Sequence, residues 1–287
     1  MNVFLGREIG ADRAADAQSV VLPVPAEFST SYGKGTAQGP AAIIEASPYL
    51  EFYDEELDFE VWKNGIYTAP ALACDLAPPE LMASIEKTVA AYLSEKKFLV
   101  VLGGEHSISF AVHQAVHSCF PGLSVLQFDA HSDLRDEYEG SRYSHACVMR
   151  RIWENNKNIV ALGIRSLCVE ERNFARQEGI DITYAHELYG RPFPTEIIDR
   201  LSENVYISFD VDFFDPSLIP GTGTPEPGGF YWPETLAFLH RVFQSKNVVA
   251  VDIVEHSPIT GLVHPDFLLA KLSYKLIGYK AKSEQHI

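Results

Sequence analysis

Six apolar runs rich in β-branched residues recur along the chain, and segments with helical periodicity separate them. Because these runs are apolar nearly throughout, instead of alternating with polar residues, each predicts a strand that is covered on both faces. Strands that alternate with helices predict a mostly parallel sheet, and hence an α/β fold. The six runs are Ser19–Val24, Phe98–Leu102, Leu123–Phe128, Ile159–Ile164, Val205–Phe209 and Asn247–Val254.

The segments between these runs favour helices. In Pro79–Lys97, the residues Leu81, Ile85, Val89 and Leu93 fall on one helical stripe. Further helices are predicted at Ser107–Cys119, His145–Asn156, Pro233–Gln244 and Leu262–Lys280. Parallel sheets of this kind bind ligands beyond the carboxyl ends of their strands, so the residues that follow each apolar run are the candidates for chemistry.

Composition and charge narrow the class of protein. The 287 residues, 46% of them hydrophobic, suffice for one large α/β domain, and we expect a single domain over residues 1–287. The net charge of −16 argues against nucleic-acid binding, which requires a basic face, and it fits attraction of a cationic substrate as well as plain solubility. No apolar run is long enough for a membrane span and no secretory signal is recognisable, so we expect a cytoplasmic protein.

Clusters of acidic residues and histidines follow three of the predicted strands. They are Glu105 and His106, then Asp129, His131 and Asp133, then Asp210, Asp212 and Asp215. Alternate residues of an extended chain point to the same side, so Asp129, His131 and Asp133 can converge on one point. Carboxylates packed at the rim of a buried sheet cost several kcal/mol for each uncompensated charge, which a pair of divalent cations would offset. Carboxylate and imidazole ligands without thiolates favour manganese over zinc, copper or magnesium.

Each cluster alone has a plainer interpretation. An Asp-x-Asp pair at a strand end is often a cap or a turn, and a histidine after Gly-Gly can simply begin a helix. We interpret Glu105 as a bonding partner of neighbouring groups and not as a ligand. His113 and His117 lie one helical turn apart, but neither follows a strand, so we assign them to a helix face. The same interpretation is given to His186, His240, His256 and His264.

Taken together, the motifs resemble those of the ureohydrolase family, which comprises arginases, agmatinases and formimidoylglutamases. The resemblance lies in GTAQGPAAIIEAS at Gly35–Ser47, GGEHS, FDAHSD, SHA at Ser144–Ala146, GIRS at Gly163–Ser166, the long segment Ser208–Gly229, and VDIVEHSP. It implies an arginase-like fold, a three-layer α/β/α sandwich around a mainly parallel sheet. It also implies a single ureohydrolase domain that assembles as a homo-oligomer, a trimer or a hexamer.

The resemblance also implies roles for individual residues and a cofactor of two Mn²⁺ per subunit. One manganese ion would be held by His106, Asp129, Asp133 and Asp210, and the other by His131, Asp129, Asp210 and Asp212, so that Asp129 and Asp210 bridge the pair. Glu255 would receive the guanidinium group, and His145 would shuttle protons. We count Asp133 among the catalytic residues as well as among the ligands.

General chemistry supports these roles. Two cations that share a water molecule lower its pKa enough to provide a nucleophile near neutral pH. The planar carboxylate of Glu255 can pair with a guanidinium through two hydrogen bonds, which fixes the carbon for attack. The departing amine needs a proton, and the imidazole of His145 titrates in the right range to supply it.

The pattern of arginine-specific members is absent. The loop LRDEYEGSRYSHA has Arg135 where arginases carry an asparagine, and RSLCVEER has Cys168 in place of an aspartate. We therefore expect agmatine as the small cationic guanidino substrate, cleaved to putrescine and urea. The acidic loop residues Asp136, Glu137 and Glu139 could meet its ammonium group, or could simply be solvated.

Several alternatives remain open at this stage. Arg135 or Arg142 could favour a substrate with an acidic tail such as guanidinobutyrate. Aminopropyl-agmatine, arginine, guanidine and formimidoylglutamate would use the same metal chemistry. A metal-binding paralogue without turnover is a more remote reading, since every residue that the chemistry requires is present.

Overall fold

Strands and helices alternate along most of the chain in the computed structural model, which describes residues 2–285. The strands are β1 (Ser19–Val24), β2 (Tyr53–Asp54), β3 (Phe59–Glu60), β4 (Ile66–Thr68), β5 (Phe98–Gly103), β6 (Ser124–Phe128), β7 (Ile159–Ile164), β8 (Asp181–Tyr184), β9 (Asn204–Asp210) and β10 (Asn247–Val254). The helices are α1 (Gly39–Ala46), α2 (Pro78–Ser94), α3 (Ser109–Cys119), α4 (Val148–Asn155), α5 (Val169–Glu178), α6 (Glu196–Asp199), α7 (Trp232–Ser245) and α8 (His264–Glu284).

An eight-stranded parallel sheet organises the molecule. Its strand order is β4–β1–β5–β10–β9–β6–β7–β8, and each neighbouring pair is parallel. The remaining strands, β2 and β3, form a separate antiparallel pair. All six predicted strands are present, so the α/β fold with a mainly parallel sheet is confirmed. Within the eight-stranded sheet, the two strands that the apolar runs did not reveal are its edges, β4 and β8.

Helices cover both faces of the sheet and thereby make a three-layer sandwich. Side chains of β5 alternate between two apolar clusters: Val100 and Leu102 belong to one cluster, and Leu99 and Val101 to the other. The first cluster includes side chains of α1, α7 and α8, among them Ile43, Leu239 and Leu276. The second includes side chains of α2, α3 and α4, among them Leu81, Val112 and Ile152. Within residues 2–285, every helix is too short or too polar to cross a membrane.

The helix boundaries follow local chemistry. Helix α2 begins with two prolines, whose missing N–H groups cost nothing in a first turn, and it ends before Lys96, which has a positive φ of 58°. Helix α8 starts at His264 instead of the predicted Leu262, with Pro265 in its first turn. Helix α5 was not predicted, because its sequence VEERNFARQE lacks a long apolar stripe.

The four central strands place their carboxyl ends side by side. These strands are β5, β10, β9 and β6, which are neighbours in the sheet although they are not consecutive in the chain. Two of them lead into 3-10 turns, His106–Ile108 after β5 and Val211–Phe213 after β9. The predicted ligand clusters therefore meet at one edge of the sheet.

Candidate active site

A pocket of about 280 Å³ opens at the carboxyl ends of the central strands. The predicted site residues that line it are His106, His131, Asp133, His145, Asp210, Asp212 and Glu255. Asp129 is fully buried and completes both groups of ligand atoms described below. The structure thus brings together all of the predicted site residues, from stretches that lie far apart in the sequence.

The potential ligand atoms form two adjacent groups that share Asp129. One group consists of His106, Asp129 and Asp210, and the other of Asp129, His131 and Asp212; within each group the ligand atoms lie within 4.8 Å of one another. The Nδ1 atom of His106 lies 3.3 Å from Oδ2 of both Asp129 and Asp210. It lies 3.0 Å from Oδ2 of Asp133, which brings Asp133 to the first group. In the second group, Nδ1 of His131 lies 2.8 Å from Oδ2 of Asp212.

The ring of His106 is oriented as a metal ligand requires. Its Nε2 atom lies 2.9 Å from the hydroxyl of Ser208, which itself donates a hydrogen bond of 3.0 Å to Asp252. The oxygen of Ser208 therefore accepts from Nε2–H, and Nδ1 is directed at the carboxylates. Nδ1 is buried, and none of the surrounding oxygens is placed to form a hydrogen bond with it. This donor set fits a divalent cation.

Concentrated negative charge sets the protonation of the site. Burial, together with repulsion from Asp133 and Asp212, raises the pKa of Asp129 to about 7. Burial lowers the pKa of His131, but the attraction of Asp212 outweighs it and raises that pKa to about 11. Burial likewise raises the pKa of Asp210 well above its ordinary value. Excess negative charge therefore has to be balanced, by protons on the imidazoles or by bound cations.

Glu255 presents a buried carboxylate beside the two groups. Its backbone is left-handed, with φ of 68°, and its N–H donates to the carbonyl of Gly104 at 2.7 Å. One carboxylate oxygen accepts the backbone N–H of His106 at 2.6 Å. Burial, with repulsion from Glu105, raises the pKa of Glu255 to about 8. Strained backbone of this kind clusters at functional sites, and a cationic group in the pocket would stabilise the ionised carboxylate.

His145 lies on the rim of the pocket, where it begins a 3-10 turn that leads into α4. Its backbone N–H donates to the hydroxyl of Ser29 at 2.9 Å, and its Nδ1 atom lies 3.2 Å from the same oxygen. The ring of Tyr138 meets the ring of His145 edge to face, with centroids 6.0 Å apart. The imidazole is thus held from two sides.

The loop that carries Ser29 was not singled out from the sequence, because its contacts are with distant residues. Thr30, Ser31, Tyr32 and Gly33 of this loop line the pocket. The buried carboxylate of Glu105 anchors the loop, as it accepts the backbone N–H groups of Phe28 and Ser29, each at 2.6 Å. Glu105 therefore bonds neighbouring groups, as the sequence predicted.

Arg165 was also missed as a contributor to the site. Its guanidinium donates to the backbone carbonyls of Asp212 at 2.5 Å, Glu226 at 2.9 Å and Pro227 at 3.2 Å. The motif GIRS at Gly163–Ser166 was recognised only as part of the resemblance, and the targets of the arginine lie about 50 to 60 residues later. Arg165 thereby connects Asp212 to the glycine-rich loop Gly221–Gly229.

The outer wall of the pocket contains the guanidinium of Arg135, which lies near an aromatic ring and a buried carboxylate. The guanidinium carbon of Arg135 lies 5.0 Å from the ring centroid of Tyr138, and Nε of Arg135 lies 3.9 Å from a carboxylate oxygen of Glu171. Glu171 is buried and also accepts a backbone N–H from Leu134 and from Cys168, at 2.9 and 2.8 Å. A substrate tail that extends from the two groups of ligand atoms on this side would pass the guanidinium of Arg135, whose charge Glu171 partly neutralises.

The other charged residues of this loop do not contribute to the wall of the pocket. Asp136 accepts a hydrogen bond of 2.6 Å from Arg151, and Arg142 pairs with Glu154 at 2.9 Å. Asp136, Glu137, Glu139 and Arg142 are absent from the residues that line the pocket. The structure therefore does not support contact of these acidic residues with a substrate ammonium, and of the two arginines it places only Arg135 in the wall.

Two of the histidines assigned to helix faces are buried. His113 is a fully buried residue of α3, and its Nε2 atom lies 3.2 Å from the amide nitrogen of Asn156. His256 follows Glu255 directly, with Nε2 2.6 Å from Asp266 and Nδ1 3.3 Å from the carbonyl of Gly221. The assignment of His256 to a helix face was wrong, because it lies between β10 and α8. Its contacts are structural, since they hold the loop that carries Thr222 and Gly223 into the pocket.

Comparison with known proteins finds relatives of similar sequence and similar architecture. A sequence profile described as "Arginase family" matches residues 17–278. An N(1)-aminopropylagmatine ureohydrolase of Synechocystis is 41% identical over 94% of this chain and 92% of its own. An agmatinase of Pyrococcus horikoshii is 35% identical over 93% of each chain. The solved agmatine ureohydrolase of Thermoplasma volcanium superposes with a TM-score of 0.90 at 29% identity, covering 100% of this chain and 97% of its own.

Proposed function

This chain belongs to the arginase family of ureohydrolases, and from that premise we propose that it hydrolyses the guanidinium group of agmatine or of its N(1)-aminopropyl derivative, with release of urea. The observation that carries the proposal is the buried carboxylate of Glu255 beside two ligand groups that share Asp129. A guanidinium bound to Glu255 would lie beside the residues that would hold the cations.

We assign the ligands as the resemblance implied. His106, Asp129, Asp133 and Asp210 would hold one Mn²⁺, and His131, Asp129, Asp210 and Asp212 the other. The oriented Nδ1 of His106 and the carboxylate-rich donor set support this assignment. When bound, a pair of divalent cations lowers the pKa of a water molecule enough for it to attack carbon near neutral pH.

Glu255 and His145 would perform the remaining steps. The carboxylate of Glu255, shielded from water, would pair with two N–H groups of the guanidinium and hold its central carbon in place. The cationic guanidinium would in turn favour ionised Glu255, whose pKa burial raises to about 8. His145 on the rim would supply the proton that the departing amine needs.

The two proposed substrates, agmatine and N(1)-aminopropylagmatine, differ only in the tail beyond the guanidinium. Agmatine is the substrate expected from the missing arginine-specific pattern. The relative that is 41% identical is named for N(1)-aminopropylagmatine, and so is a Thermus thermophilus relative that is 38% identical, which favours the longer amine. The position of Arg135 in the pocket wall keeps a third compound, guanidinobutyrate, as the candidate with an acidic tail.

A urea-release assay with manganese and a panel of guanidino compounds tests the proposal. We expect the highest kcat/KM with N(1)-aminopropylagmatine or agmatine, and much lower values with arginine, guanidinobutyrate and guanidine. The variant Glu255→Gln keeps a planar side chain without the charge, and it should lose most of the activity. Faster turnover of arginine or guanidinobutyrate than of both amines would refute the proposed substrate class. Absence of urea from every compound would refute the proposed reaction.

Three further expectations accompany this proposal without a test of their own. They are a single domain over residues 1–287, assembly as a homotrimer or homohexamer, and a cytoplasmic location. The match over residues 17–278 supports the first of them, since it leaves little of the chain for a second domain.

A further inference from the structure

Ser29 connects a buried carboxylate to the imidazole on the rim of the pocket. Its hydroxyl donates to Oε1 of Glu105 at 2.7 Å, and its oxygen lies 3.2 Å from Nδ1 of His145. Glu105 is 0% exposed. Glu105 and His145 lie 76 and 116 positions after Ser29 in the chain, and the three residues form one row from the interior to the pocket.

The hydrogen-bond donors in this row can be counted. One oxygen of Glu105 accepts the backbone N–H groups of Phe28 and Ser29, and the other accepts the hydroxyls of Ser29 and Ser107. As a carboxylate, Glu105 has no proton to give, so the single hydroxyl proton of Ser29 is committed to it. Towards His145, the oxygen of Ser29 is left as an acceptor.

We propose that Ser29 is a positioning residue that fixes the tautomer of His145 with the proton on Nδ1 and the lone pair of Nε2 free; the assignment rests on the proposed function. The same oxygen accepts the backbone N–H of His145 at 2.9 Å, which holds the residue as well as its ring. The opposite tautomer would set the lone pair of Nδ1 against the lone pairs of Ser29.

This tautomer suits the role of His145 in the pocket. Neutral His145, partly exposed on the rim, takes up a proton from solvent at Nε2, and the resulting imidazolium delivers that proton to the departing amine and returns to the neutral form, while Nδ1–H stays bonded to Ser29. The exchangeable proton is therefore confined to one nitrogen. Ser144 is a weaker alternative partner, because its hydroxyl lies 3.5 Å from Nδ1.

A double-mutant cycle separates this role from a general structural one. In the manganese-loaded protein, Ser29→Ala should lower kcat about 10- to 100-fold, with KM and metal content nearly unchanged. Ser29→Thr keeps the hydroxyl and should retain most of the activity, as should Ser94→Ala, which removes an exposed hydroxyl at the end of α2. In a His145→Ala background, Ser29→Ala should lower kcat no further.

Two results would overturn the assignment. One is a kcat for Ser29→Ala equal to that of the unaltered protein. The other is an equal fold-loss from Ser29→Ala with and without His145, since Ser29 would then act independently of the imidazole.

A crystal structure of the Ser29→Ala variant gives a readout that does not depend on turnover. We expect the ring of His145 to rotate or to occupy more than one orientation, while Glu105 and the ligand residues keep their places. An unmoved ring with Nδ1 bonded to another acceptor would contradict the positioning role. If no guanidino compound yields urea even with the unaltered protein, the proposed function fails, and the crystal structure still decides whether Ser29 orients the ring.

Discussion

Single side chains at this site act through their charge, and their surroundings differ. Asp129 is shared by both groups of ligand atoms and lies fully buried, whereas His145 is half-buried on the rim. Removal of the charge of Asp129 should therefore affect cation binding, and removal of the imidazole of His145 should affect only proton transfer. These two expectations can be tested separately.

Asp129→Asn should lose most of the bound manganese and lower urea release by more than about 100-fold, because even residues that merely support a metal ligand cost about 10- to 100-fold when changed. Metal analysis of the purified variant, together with the urea assay, measures both effects. Asp199→Asn, which removes an exposed carboxylate from α6, is the matched control. A variant with normal metal content and normal kcat would rule out the shared-ligand assignment.

His145→Ala should retain the metal and lower kcat by about 100-fold or more, since a positioned proton donor contributes on this order. Metal content and kcat are again the measurements, and KM should change little because Glu255 still binds the guanidinium. The expectation fails if turnover proceeds at the original rate.

At the scale of elements, helix α3 contains a histidine that the fold keeps neutral. Asn156 donates to Nε2 of His113 at 3.2 Å, because the amide oxygen of Asn156 is occupied by the N–H of Asn158. Burial, with the neighbouring His117, lowers the pKa of His113 to about 3 from an unfolded value of 6.5. The unfolded chain therefore binds more protons than the folded chain between these two pH values, and stability falls as the pH falls through this window.

His113→Gln should remove this pH dependence while keeping an acceptor for Asn156. From the two pKa values, the difference in unfolding free energy between the unaltered chain and the variant should change by about 2 kcal/mol between pH 8 and pH 5, in favour of the variant at low pH. Urea unfolding at both pH values measures it, with the exposed His186→Gln as the control. Parallel pH profiles for the unaltered chain and His113→Gln would show that His113 is not kept neutral by the fold.

The elements that the sequence revealed are those whose burial leaves a continuous signal. Strands such as β5 are apolar on both faces, whereas β8 has four partly exposed residues, and β4 has three residues in all. Edge strands bury less surface and need no continuous apolar run. Likewise, Asp129 and Asp212 were found because they follow buried strands, but Ser29 and Arg165 act through contacts with residues about 50 to 120 positions away, which no local pattern encodes.

At the scale of the whole molecule, cation binding and folding should be coupled. The ligand carboxylates are buried close together, and burial raises the pKa of Asp129 to about 7, so the folded protein without cations holds unfavourable charge. Ions that bind the folded chain and not the unfolded chain stabilise it by mass action, by about 2.7 kcal/mol for each site at a hundred times its Kd.

Manganese should therefore raise the Tm of the chelator-treated protein, and the Tm should increase further with manganese concentration. Differential scanning calorimetry over a manganese titration measures this. The Asp129→Asn variant should show a much smaller increase, which distinguishes binding at the site from general ionic effects. An unchanged Tm for the unaltered protein at saturating manganese would speak against coupling.

Strand β10, one of the last elements in the chain, lies between β5 and β9 in the middle of the sheet. When only the first two hundred residues have been synthesised, β9 and β10 are absent from the middle of the sheet. His106, which follows β5, then lacks the strands that connect it to the ligand residues after β6. Insertion of β10 brings Glu255 to its position and joins the two halves. A chain that lacks β9 and β10 thus cannot assemble the centre, and capture of cations has to wait until both strands are in place.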